Sequence, residues 1–406
     1  MDSPATWSGY SLSERDRRWN AVRAGAAAAG FDCIFVPVCL DRHSFPPSQD
    51  RGNGPHSDSR YLTQLAAVSV VLPTDGRTPI VIGERTGPTR WIPEVRSVSR
   101  RGLSDSWADP MATALLDAGI ERGRIGVVGL APGKLAHVRA VDGVVNHTGF
   151  AGVAAQLPQA SFENATDIVG AARYAKGEEE IACLRRAAEI AAAAIQSLQD
   201  TARPGVAEAA LYARGMRRLL ELGSEYFPLT LQAEPLGRLR YRHRNSQLGR
   251  TLGSDWIVEA EVNAVWGGQV AQETQTIALS PLPDAYRAAG QWQREIFASI
   301  LDALTPGSDL ADLAARINSF GGPDGLRASV SLQSAGYGDD GPWLRTGDSP
   351  SAVASVRIDP GTAWVCQVTV HGDHDRLQLS WGTTVLVTEQ GATQLVSREM
   401  EPVSIQ

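Results

Sequence analysis

Residues Lys176–Leu198, KGEEEIACLRRAAEIAAAAIQSL, divide the chain into two halves. Three acids after a glycine open a strongly periodic helix. Ile181, Leu184, Ala188, Ile195 and Leu198 recur at three-, four- and seven-residue spacing, which puts them on one face. Arg203-Pro-Gly205 ends that helix, and a second one, Val206 to Leu222, stops at Gly223. Mostly strands and turns follow, interrupted by a helix from Pro283 to about Leu304 and a short one from Leu310 to Ile317. Helices beside runs of strands read as an α+β domain.

Upstream of this helix the pattern changes. Ser13-Glu-Arg-Asp16 predicts a helix start, and the helix runs through Trp19 and Val22 to Gly30. Cys33–Val36 is a short buried strand, and Phe45 to Ser59, rich in Pro, Gly, Ser and His, reads as a long loop. Tyr61–Thr63 and a strand from Val68 to Leu72 come next, then an Asp75-Gly76 turn, a strand Ile80–Ile82, a helix near Ala112 to Ala118 and a strand Ile125–Val128. Alternating strands and helices predict an α/β domain. The boundary falls between 160 and 175, giving domains 1–165 and 166–406.

Length and composition bound the rest. A chain of 406 residues, 43% hydrophobic and 20% charged, is an ordinary globular protein of about two to three domains. A net charge of −7 with pI ≈ 5.6 argues against nucleic-acid or anionic-membrane partners, since polyanions are not attracted to such a surface. Cys33, Cys39, Cys183 and Cys366 are scattered, with no C-x-x-C pair, and read as buried small hydrophobes in a reducing compartment. The polar start MDSPATWSGYSLSERDRRW lacks the apolar run of a signal peptide, and no stretch reaches the ~18 apolar residues a membrane span needs. A cytoplasmic protein is the expectation.

In family order, several pieces resemble one known group. They are Arg60-Tyr-Leu-Thr63 with the Val68–Leu72 strand, Ile168-Val … Arg173 … Lys176-Gly-Glu-Glu-Glu180-Ile181, Arg203-Pro-Gly205, Asp359-Pro-Gly361 and Val385-Leu-Val-Thr388-Glu389-Gln-Gly391. Together they resemble the creatinase / Xaa-Pro aminopeptidase / methionine aminopeptidase family (M24) across nearly the whole chain. The resemblance implies an α/β N-terminal domain, an α+β pita-bread C-terminal domain and a homodimer.

Relatives that bind two metal ions do so with five side chains. Carried over by position, those places hold Glu261, Gln272, Ala335 in Ser334-Ala-Gly336, Gln367 and Gly382. Divalent ions need anionic oxygen or imidazole ligands, and one carboxylate cannot balance four positive charges. The expectation is therefore no metal and no cofactor. Glu273 substitutes for Gln272 only if the register slips by one. His371-Gly-Asp373-His374-Asp375 is dense in ligand types, with a solvated loop as its plainer reading and a mononuclear metal site or a place in the substrate pocket as the others.

Creatinase, within this family, works without metal through a histidine proton shuttle, and His243 is its local counterpart. An imidazole can take and return a proton near neutral pH. On a strand Leu239, Tyr241, His243 and Asn245 share one face, with Arg238, Arg240, Arg242 and Arg244 on the other. The arginine row, Arg250 included, is a carboxylate or phosphate site or, alternatively, a solvated face or subunit contact. Creatinase's glutamates fall on Thr274 and Gln367, so creatine itself is not supported, and Gln367 suits a neutral amide, ketone or acid. Trp266, Tyr337, Trp343, Trp364 and Trp381 fall near the five positions and suggest an aromatic pocket, or else core packing. Glu261, with Glu259 at the same strand parity, is a candidate acid or base.

The expected function is a metal-independent enzyme that acts on a small molecule, aromatic or carboxylate-bearing, by acid–base chemistry. His243, Glu261 and Tyr337 are its catalytic candidates. Tyr241, Gln272, Glu273, Gln367, Trp364, Trp381 and His371 are the substrate-binding ones, with Arg42, His43 or Arg51 closing the pocket across a dimer. The alternatives are a non-catalytic binding module and a conventional metallopeptidase.

Overall fold

The computed structural model describes residues 7–38, 55–65, 67–83, 87–98, 106–136, 138, 142–238, 249–323, 325–338, 340–372 and 377–404. They form two compact units, one of residues 9–174 with 337–342, the other of residues 1–8, 175–336 and 343–406.

The first unit is α/β. Its elements are α1 (Leu12–Ala28), β1 (Cys33–Val36), α2 (Pro55–Thr63), β2 (Ser69–Pro73), β3 (Ile80–Gly83), β4 (Val95–Ser97), α3 (Ala108–Asp117), β5 (Arg124–Val127), α4 (His147–Gln156), β6 (Ser161–Asn164) and α5 (Thr166–Tyr174). The strands order as β4-β3-β2-β1-β5-β6, antiparallel at β1–β2 and β2–β3 and parallel elsewhere. Phe35, Val71, Ile125 and Val127 pack with Met111 and Leu115 of α3 in one core. Ser11, not Ser13, caps α1, its hydroxyl accepting from the Glu14 N–H at 3.1 Å. Residues 55–59, expected in the loop, are the first turns of α2, with Pro55 at a position where a helix needs no N–H. Helix α3 starts at Ala108, earlier than the apolar pattern suggested.

Segment 337–342 joins this unit through charge. Arg173 of α5, fully buried, pairs with Asp58 at 2.5 Å and with Asp340. A buried guanidinium needs such partners, because an unpaired charge away from water is costly.

The second unit is α+β. It contains α6 (Glu178–Thr201), α7 (Glu208–Glu221), β7 (Thr230–Pro235), β8 (Trp256–Trp266), β9 (Gln269–Ala278), α8 (Asp284–Ala303), α9 (Leu310–Asn318), β10 (Leu326–Ser334), β11 (Trp343–Arg345), a 3-10 turn Pro350–Val353, β12 (Ala363–Gly372), β13 (Gln378–Thr388), β14 (Gly391–Gln394) and β15 (Val403–Ser404). Glu180 closes a box at the start of α6, its carboxylate accepting the Gly177 N–H at 3.0 Å. Leu184, Ala188, Ile195 and Leu198 are all buried, as their spacing requires. The described strands form one sheet in the order β11-β10-β12-β13-β9-β8-β7, with β14 on β13 and β15 on β9. All neighbours along that path are antiparallel.

Candidate functional site

Strand β12 separates the two faces of this sheet. Trp364, Cys366, Val368 and Val370 are buried, while Val365, Gln367, Thr369 and His371 between them are only partly so. On the buried side lies α8, whose Gln293 donates to the Val368 and Leu379 carbonyls at 2.7 and 3.0 Å. The opposite face is polar.

Register brings distant residues into line on that polar face. One rung crosses seven strands, Arg345, Ser331, Gln367, Gly382, Thr274, Glu261 and Thr230 being successive partners. The next rung adds Asn263 opposite Gln272. Gln272 Nε2 lies 3.4 Å from Thr274 Oγ1 and 3.5 Å from Gln367 Oε1, and Asn263 Nδ2 is 3.5 Å from Glu261 Oε1. These contacts are long against the usual ~2.9–3.0 Å, so the bonds between these side chains are weak. Glu261 is 4% and Gln272 6% exposed, which makes this the recessed floor of the face.

The floor is joined at β9–β13, where hydroxyls replace ladder bonds. Thr384 Oγ1 accepts the Gln272 N–H at 2.9 Å and donates to the Gln272 carbonyl at 3.1 Å. Thr276 does the same for Ser380, at 3.0 and 2.9 Å. A Cβ at Gly382 would stand 3.0 Å from the Cys366 carbonyl oxygen and 3.2 Å from Gln367 Cα. Glycine therefore lets β12 approach closely beside the amides. Farther along the face, Gln378 donates to Glu259 at 2.8 Å, and His371 sits opposite Gln378.

Glu261, Gln272 and Gln367 thus converge, with Thr274 and Asn263 between them. Three other expected site residues are not on this face. Glu273 follows Gln272 by one residue and points away; fully buried, it accepts from Thr383 Oγ1 at 2.8 Å and pairs with Arg398. Burial pushes its carboxyl up to about 7, outweighing the Arg398 charge and the hydrogen bonds from Thr383, Arg398 and the Thr384 backbone. Trp364 and Trp381 are core residues, 0% and 1% exposed. The Trp364 indole donates to Thr362 Oγ1 at 3.2 Å, and Trp381 packs edge-on against Phe297 of α8 at 4.9 Å. Stacking a ligand on either would require opening that core.

Tyr337 belongs to the first unit, where its hydroxyl accepts from Arg18 Nη1 at 2.7 Å and its ring meets Tyr61 edge-on at 6.1 Å. Ala335 packs with Leu184, Ala363 and Leu386. Arg250 is held by Glu208 at 2.6 Å and Glu234 at 3.2 Å, with its guanidinium 4.8 Å from the Trp256 ring, a protein-internal role. His243, Tyr241, Arg42, His43, Arg51 and Asp373–Asp375 lie outside the described residues.

Three residues on the polar face carried little weight in the sequence. Asn263 and Ser331 share strand parity with Glu261 and Gln333, a signal visible only once the strands are known. Trp343, paired with Gln333 and half-buried, donates its indole N–H to Ser331 Oγ at 2.9 Å, beside that end of the rung. Among the described residues no three His, Cys, Asp or Glu side chains gather closely enough to hold a metal ion. No helix among them is long and apolar enough to cross a membrane.

Residues 182–389 match the model of metallopeptidase family M24. Among solved structures, the chain is similar to an X-Pro aminopeptidase from Thermotoga maritima at 14% identity and TM-score 0.70, covering 94% of this chain and 100% of that one. A dipeptidase, PepE, from Mycobacterium ulcerans is 17% identical with TM-score 0.68, covering 98% and 99%. The N-terminal domain of a FACT complex subunit from Cicer arietinum (chickpea) is 12% identical with TM-score 0.66, covering 95% and 97%. At these identities the likeness is one of fold, the pita-bread fold. No curated protein sequence matches.

Proposed function

Because the chain belongs to metallopeptidase family M24, we propose that it uses that scaffold for a metal-independent enzyme acting on a small molecule by proton transfer. The family implies metal, but the donor set of the floor is poor in charge. Among the described residues of these two rungs Glu261 is the one carboxylate; Asn263, Gln272, Thr274 and Gln367 are neutral, and Gly382 offers no side chain. Such a set does not fit a pair of divalent cations, whose charge would stay uncompensated in a recessed site. No step is therefore assigned to a metal.

The observation that carries the proposal is the pair of adjacent rungs that gathers the Glu261 carboxylate with the Gln272 and Gln367 amides on a recessed polar floor. In this proposal Glu261 takes a proton from water or substrate and returns it to a leaving nitrogen, the pattern of C–N hydrolysis or a related elimination. The Gln272 and Gln367 amides orient the reacting group and donate to oxygen as negative charge develops. His243 is the second proton carrier in this proposal. The protein acts as a homodimer, which light scattering would check.

The test joins metal analysis to turnover. Protein purified without chelator should carry no stoichiometric Mn, Co or Zn, and turnover of its substrate should persist in EDTA. Two tightly held equivalents per chain would return it to the metallopeptidases. The likeness to a FACT complex subunit domain favours a second reading, a non-catalytic binding module. Loss of turnover in Glu261→Gln with the fold intact separates the two, since a binding module has none to lose.

A further inference from the structure

Helix α8 and the chain around β15 enclose a cleft of about 360 Å³ within the second unit. It lies on the helical side of the sheet, away from the polar floor. Its size falls in the range of small-molecule pockets, about 300–1,000 Å³. Leu282 and Tyr286, both nearly buried, line it together with Pro402. So does Gly290, in the interior of α8, where glycine is a poor helix former. Packing does not explain that glycine: a Cβ built there meets nothing closer than Pro402 Cδ at 3.6 Å, an ordinary contact. In α7, by contrast, a Cβ at Gly215 would stand 2.6 Å from Leu229 Cδ2. Glycine at 290 therefore leaves room that a larger side chain would fill.

We propose that this cleft binds a small apolar acid, seated against Gly290 and Pro402 with its carboxylate on Arg294. The two arginines of the lining differ in how they are held. Arg287 is turned back on the start of α8, donating to the Leu282 carbonyl at 2.8 Å and pairing with Asp284. Arg294, roughly 10 Å farther along the helix, makes longer contacts, 3.4 Å to the Met400 carbonyl and 3.6 Å to Glu401. A ligand carboxylate forms shorter, charge-assisted bonds to that guanidinium. The Glu401 side chain it displaces is 63% exposed, so water takes it up at little loss. A cation would face two guanidinium groups to gain one carboxylate. The wall opposite α8 is preformed, which lowers the cost of binding. Gln275 Nε2 donates to the Glu401 carbonyl at 2.8 Å, and Val403 and Ser404 pair with Ile277 and Ala278 of β9.

The probes 2-naphthoate, 2-naphthamide and 2-naphthamidine share one shape and differ in charge. Titrated calorimetrically into the full-length chain, 2-naphthoate should saturate at one equivalent per chain and bind at least about fivefold tighter than the amide or the amidine. Arg294→Met should bring naphthoate and naphthamide level. Glu401→Gln should tighten naphthoate by about twofold to fivefold, because it removes the competing carboxylate. Gly290→Leu, a good helix former that fills the cleft, should abolish binding of both. An absence of saturable naphthoate binding, an amide or amidine that binds as tightly, or an affinity untouched by Gly290→Leu would overturn the proposal. If the leucine variant fails to fold, Gly290→Ala and Arg294→Met decide, since the alanine methyl fits the existing packing. Each should weaken naphthoate, and wild-type affinity in both would refute the site.

Discussion

Replacing Arg398 by Met tests the buried pair behind the polar floor, and the result should depend on pH. Glu273 is fully buried with Arg398 as its charge partner, and its carboxyl is raised from the ordinary 4.5 to about 7. A native group that holds its proton more tightly than the unfolded chain does favours folding most at low pH. In the wild type, this contribution is complete below about 4.5 and is lost as pH rises to about 7, a span of roughly 3 kcal/mol. Above that, Glu273 is ionised in both states and the curve levels. Without Arg398, the ionised form loses its guanidinium, so the native state keeps the proton to higher pH. The decline then continues past pH 7 at about 1.4 kcal/mol per unit. A pH-independent loss of about 1–2 kcal/mol adds to it, from the bond to Gln275 at 2.5 Å and the contact with Trp381. Urea denaturation of both proteins at pH 6 and 8.5, followed by tryptophan fluorescence, measures the difference. Destabilisation should be about 2 kcal/mol larger at pH 8.5 than at pH 6. An equal loss at the two pH values would refute the reasoning, because it would mean that Glu273 does not titrate there.

Four further variants test the packing. Trp381→Ala should cost about 3–5 kcal/mol in denaturation, since the ring fills the core against Phe297, while the Trp343→Phe variant, which loses the indole bond to Ser331, should stay within about 1 kcal/mol of wild type. Gly382→Ala places a Cβ 3.0 Å from the Cys366 carbonyl oxygen and should lower stability by about 1–3 kcal/mol, read from the shift in urea midpoint. Tyr337→Phe removes the acceptor of a fully buried Arg18 N–H and should destabilise by about 1–3 kcal/mol in the same assay with turnover unchanged; a large fall in turnover would return Tyr337 to the catalytic set.

Much of the fold was legible because periodicity is a local property. The apolar stripe of α6 and the run Cys33–Val36 needed no knowledge of their neighbours. The fate of Glu273 and Trp381 was also within reach, since each is one residue from a floor position and a strand turns alternate side chains to opposite faces. Trp364, three residues from Gln367, obeys the same rule. Proximity in sequence made all three resemble pocket residues, and strand parity removes them. The place of Tyr337 was different: nothing near it in sequence announces Arg18, which lies 319 residues away.

The sequence by itself determined the class of the two halves, the family likeness and the poverty of charged ligands at Glu261, Gln272, Gln367 and Gly382. Those are matters of residue type and spacing, which survive without coordinates. Only the tertiary structure decided that these positions, with Thr274 between them, lie on neighbouring strands of one face. Side-chain alternation says which residues of one strand share a face, but register between strands is fixed by hydrogen bonds made across long stretches of chain. That is why the chemistry of the floor could be read residue by residue, while its assembly could not.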